Sequence, residues 1–223
     1  MSFSVSNKKN YNEYYGRELS REFFNLILGI LIGYGFFMNL ITTIVFNAFF
    51  IDVVPFLFVA IAYIILAIVG IVLMNKSSSP VFSFLGYNML VVPIGMMLSY
   101  VLPGYAFSTI LITCIVTLLC TGCMMVVSMI FPDFFCKLGV TLTISLLICI
   151  VAEIILLLFG FNLGIFDWII ALIFCGYIGF DWAKINSRGV YTLDYAVDSA
   201  GELYLDIINL FLRILSILGR NDD

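Results

Sequence analysis

Four ionisable side chains, Glu153, Asp181, Asp206 and Arg213, stand inside stretches that are otherwise apolar. A charge in hydrocarbon costs on the order of several kcal/mol, so each must face protein or water, and each marks a candidate site. Asp181 and Asp206 offer the richest chemistry. Two carboxyls held together in a low dielectric cannot both ionise cheaply, so they would share one proton and respond to pH. Deprotonated, the same oxygens are hard ligands suited to Ca²⁺, with Asn209 one turn beyond Asp206 as a further oxygen donor. Protons and calcium would then compete for one place. The plainer alternative is local pairing, such as Asp181 with Lys184 one turn on.

The elements that must carry these residues are membrane helices. The chain is 63% hydrophobic and 11% charged, whereas a soluble domain is about a quarter charged. No charge occurs between Glu22 and Asp52, between Asp52 and Lys76, or between Lys76 and Asp133. About 20 apolar residues suffice to cross a hydrocarbon core of roughly 30 Å. The runs are continuously apolar rather than alternating, which predicts helices and not a barrel. Breakers divide them into seven spans near 22–46, 54–74, 81–101, 106–131, 139–160, 166–185 and 199–218, with Pro103-Gly104 splitting the third from the fourth and Pro132 ending the fourth. The expected organisation is a polar tail (1–21), one transmembrane domain (22–218) and a short polar end (219–223). About twenty residues precede the first span, so no cleavable leader is expected.

Lys8, Lys9, Arg17, Arg21, Lys76, Lys137, Lys184 and Arg188 account for eight of the ten basic residues, and all fall on one side of this topology. The positive-inside rule assigns that side, with the N-terminus, to the cytosol. The seventh span either crosses fully or re-enters. Six cysteines lie mostly within apolar runs; the Cys120/Cys123 spacing lacks a second pair, and the chain has no histidine, so helix packing is the reading there rather than zinc or redox chemistry. No basic patch suited to nucleic acid is present, and the partners expected are Ca²⁺, protons and the bilayer.

Along the seventh span Asp198, Glu202, Asp206, Asn209, Arg213, Ser216 and Arg220 recur every three or four residues and form one polar stripe. Such a stripe on an apolar helix predicts a helix enclosed by others. At a rise of about 1.5 Å per residue, Asp206 lies roughly 10 Å and Asp181 roughly 9 Å from the cytosolic edge, so the two carboxyls share a level. Arg213 and Glu153 share another, about 21 Å from that edge, and are expected to form an outer ion pair.

The stretch AGELYLDIINLFLRILSILGR (Ala200 to Arg220), above all LYLDIINLF, resembles the last helix of the Bax inhibitor 1, or transmembrane Bax inhibitor motif, family, especially its bacterial members. GFDW (Gly179 to Trp182), the Ser-Pro and FLGYN segment opening the third span, and the acidic Asp222-Asp223 are similar too. The resemblance implies an all-α, seven-helix polytopic bundle with helix 7 central, a pH-dependent calcium leak, and Asp181 and Asp206 as its proton and calcium sensor. It also implies a bacterial plasma membrane and no enzymatic activity. In bacterial members an arginine ending helix 2 latches the helix 6 aspartate. Here the nearest basic residue is Lys76, which lacks the bidentate fork of arginine and would latch more weakly. The basic residue that the family often carries near Ser216 stands instead at Arg213.

Two other classes share these features. An intramembrane aspartyl protease also uses aspartates on successive helices, but here LYLD replaces the GxGD such enzymes carry, and no PAL segment follows. A membrane-embedded regulator of other membrane proteins, or of a quality-control protease, would leave the aspartates only structural.

Overall fold

The computed structural model describes residues 18–76, 79–159 and 164–220; Lys8, Lys9, Arg17 and Asp222-Asp223 lie outside them. Among the described residues are seven α-helices, one 3-10 turn and no strand: α1 (Arg21–Phe49), α2 (Phe56–Lys76), α3 (Pro80–Val101), the turn Leu102–Gly104, α4 (Phe107–Ile130), α5 (Pro132–Leu158), α6 (Gly164–Ser187) and α7 (Leu193–Gly219). The first six are long and apolar enough to cross a membrane. α7 falls outside that set through its charges and not its length. Its 27 residues run unbroken for about 40 Å. No residue from Asp194 to Gly219 is exposed. The chain is a multi-pass helical membrane protein.

Two boundaries differ from the sequence reading by more than three residues, and both are helix starts. α5 begins at Pro132, not at 139: proline has no amide to leave unbonded and suits the first helical position, and Asp133 places negative charge in the first turn. Lys137 therefore lies within α5. α7 begins at Leu193, not at 199. The Thr192 hydroxyl accepts a hydrogen bond from the Tyr195 amide at 3.2 Å and caps the helix, so the acidic stretch expected as a loop is its first turns.

The residues fall into two compact units: Met1–Gly104 with Gly189–Gly201, and Tyr105–Arg188 with Glu202–Asp223. In the first, α1 and α2 both pack on α3. α2 and α3 meet backbone to backbone at Gly70 and Gly86, where an added Cβ on Gly70 would come within 2.7 Å of the Gly86 carbonyl; small residues permit such approach where hydrophobicity cannot drive association. The Tyr87 hydroxyl donates to the Leu31 carbonyl at 2.8 Å, and Ser83 donates to Asp194 at 2.7 Å, which satisfies the acid in the first turn of α7.

In the second unit α6 packs on both α4 and α5. Gly179 receives the Phe135 ring, and Gly139 receives Phe180, whose Cζ lies 2.7 Å from where a Cβ would stand. These reciprocal notches flank Asp181 and fix the height and rotation of α6 against α5. The outward side of α5, including Ile144, Leu147, Ile148, Val151 and Ile154, is exposed, a surface suited to lipid.

Candidate functional site

Both carboxyls of the expected pair are buried, Asp181 at 6% exposure and Asp206 at 8%, and they are close enough for each to act on the other's charge. Asp206 Oδ2 is buried with no hydrogen-bond partner. One turn away, Lys184 Nζ lies 4.0 Å from Asp181 Oδ1 and donates to both oxygens of Glu202, at 2.8 and 3.0 Å. The ammonium also sits 5.9 Å above the Phe180 ring. Local pairing of Asp181 with Lys184 thus coexists with the aspartate contact. Asn209 directs its amide to the Leu205 carbonyl at 2.7 Å. Lys76 ends α2, exposed, in the first unit, whereas both aspartates belong to the second.

The second cluster contains the expected outer pair. Arg213 makes a two-pronged contact with Glu153, Nη1 to Oε1 at 2.6 Å and Nη2 to Oε2 at 3.0 Å, the geometry that gives guanidinium–carboxylate pairs their strength. The sequence reading missed the rest. Arg213 also donates to Asp167 at 2.9 Å, and Asp167 accepts from Ser216 at 2.8 Å and from Arg220. Glu153 and Arg213 keep a common level despite the revised boundaries. The starts of α5 and α7 moved by seven and six residues, so the two residues stand 21 and 20 positions along their helices.

A usable signal for the missed residues existed in the register of α6 and α7. These helices are antiparallel, and once Asp181 faces Asp206, fourteen residues back along α6 is Asp167 and fourteen forward along α7 is Arg220. The same register sets Lys184 against Glu202.

Among known proteins, the family profile described as inhibitor of apoptosis-promoting Bax1 matches residues 20–223. A BI1-like protein of Arabidopsis thaliana is 38% identical over 92 residues, 40% of this chain and 35% of that protein. Bax inhibitor 1 of Schizosaccharomyces pombe is 52% identical over 54 residues, 23% of this chain and 20% of that protein. Bax inhibitor 1 of Saccharomyces cerevisiae is 41% identical over 73 residues, 30% and 24% respectively. The chain thus spans about a third or less of the length of these relatives.

Proposed function

This chain belongs to the family of inhibitors of apoptosis-promoting Bax1, the Bax inhibitor 1 family, and from that premise we propose that it is a pH-sensitive calcium leak of the membrane and not an enzyme. The observation that carries the reading is the meeting of two buried carboxyls, Asp181 and Asp206, with one buried oxygen left unpartnered. With one proton between them the pair carries a single negative charge and no vacancy for a cation. With the proton gone, two charges face each other in a low dielectric, a state that a divalent cation relieves.

Calcium takes six to eight oxygens, and two carboxylates offer at most four. Among the described residues no three acidic, cysteine or histidine side chains converge as a metal cage. Water would complete the shell, giving a weak site that releases its ion, as conduction requires. The placement of eight of ten basic residues on one side supports a cytosolic N-terminus, and the bacterial resemblance of the last helix supports a plasma-membrane setting.

The test is calcium flux from loaded liposomes holding the purified protein, followed between about pH 5 and 8, where no unperturbed side chain of a histidine-free chain titrates. The wild-type flux should change across that range, and the profile should flatten in Asp181→Asn and Asp206→Asn. Absence of flux at every pH, with helicity intact, would overturn the reading and favour a regulator of other membrane proteins.

A further inference from the structure

Lys184 and Glu202 have no role in the leak as described, yet they stand at its carboxyls. Glu202 and Asp206 lie one turn apart on the same face of α7, and Lys184 links Glu202 to Asp181 across to α6. Lys184 is three residues from the end of α6, about 4.5 Å along the axis, so its four-carbon stem can carry the ammonium out past the helix end. Glu202 is held by Lys184, and among the described residues the three carboxyls do not now converge as a metal cage. The buried Asp206 Oδ2 accepts no hydrogen bond from any described group.

We propose that Lys184 is a tethered stand-in for the ion: Ca²⁺ binds by displacing its ammonium and takes Glu202 as a third carboxylate ligand beside Asp181 and Asp206. An ammonium is a compact point charge on a flexible stem, suited to being exchanged for a cation. The Lys184–Glu202 pair is 41% and 39% exposed, and ion pairs of that kind are weakly held. Displacement also discriminates. A monovalent ion brings no more charge than the ammonium it replaces, whereas a divalent ion brings twice as much to the same oxygens. The inference rests on the reading that the aspartate pair accepts calcium.

Its test is Ca²⁺ binding, not flux, measured by titration calorimetry on the full chain in detergent. Lys184→Met should tighten binding about tenfold, and adding Glu202→Gln to that variant should weaken it again about tenfold, since affinity follows the count of charged ligands. Lys184→Arg, which keeps the charge, should not tighten it. Unchanged affinity in Lys184→Met, a double variant that binds like Lys184→Met, or no Ca²⁺ binding by any correctly folded form would each overturn the proposal. If binding responds as expected but liposomes show no flux, only the leak reading fails. If flux keeps its pH profile while Lys184→Met leaves affinity untouched, only the present inference fails.

Discussion

At Arg213 every charge is answered. Two acids, Glu153 and Asp167, meet two arginines, Arg213 and Arg220, with Ser216 filling a remaining position on Asp167. At Asp206, on the same helix, three carboxyls share one lysine, and one buried oxygen has no partner. The outer cluster is neutral and bonded in planar forks, so it resembles a fastening. Its inner counterpart is short of positive charge and holds what it has through a flexible ammonium, and the proposed exchange of protons and ions rests on that difference. A polar group inside a membrane protein is thus best judged by whether its partners complete it.

The comparison is open to attack at several points. The largest effect is expected from Arg213→Met, which leaves Glu153 and Asp167 buried without their shared cation; removing one partner of a buried pair costs about 3–5 kcal/mol. Unfolding in mixed micelles followed by circular dichroism would measure it. The charge exchange Glu153→Arg with Arg213→Glu should regain only part of that loss, because the new glutamate faces Asp167 as well; complete recovery would mean that Asp167 contributes nothing to the fastening.

Gly179→Ala should come next, at about 1–3 kcal/mol for overpacking, since its methyl would press on the Phe135 ring, with Cδ1 at 2.6 Å. Its flux profile should also be disturbed, because Gly179 sets the height of Asp181. Smallest in stability are the changes at the inner cluster. Lys184→Met removes an ion pair that is partly exposed, and such pairs contribute about 0–1 kcal/mol. Asp206→Asn replaces a crowding carboxyl with an amide able to donate to Asp181, so melting should hardly move while the pH response disappears. A large loss of stability in Asp206→Asn would dissolve the distinction between the clusters.

Much of this was legible in the sequence. Charge-free runs fixed the number of helices, and the seventh-span stripe already contained Glu202, Asp206, Arg213, Ser216 and Arg220 in line. Depth counting paired Glu153 with Arg213, whereas its match of Asp181 with Asp206 rested on an α7 start six residues too late. Less legible were the helix starts at Pro132 and Leu193, where polar residues that suit first turns also suit loops. Asp167 was passed over because an acid near the expected edge of a span can equally face water.

The sequence by itself determined which stretches are apolar enough to enter a membrane, how residues are spaced along each helix and which face of the last helix is polar, because these follow from hydropathy and from the fixed rise and period of the α-helix. Only the tertiary structure decided which helices are neighbours, and with that whether a charge is completed or left wanting. Partnership depends on close approaches such as Gly179 with Phe135 and on the antiparallel register of α6 and α7, neither of which any local pattern specifies.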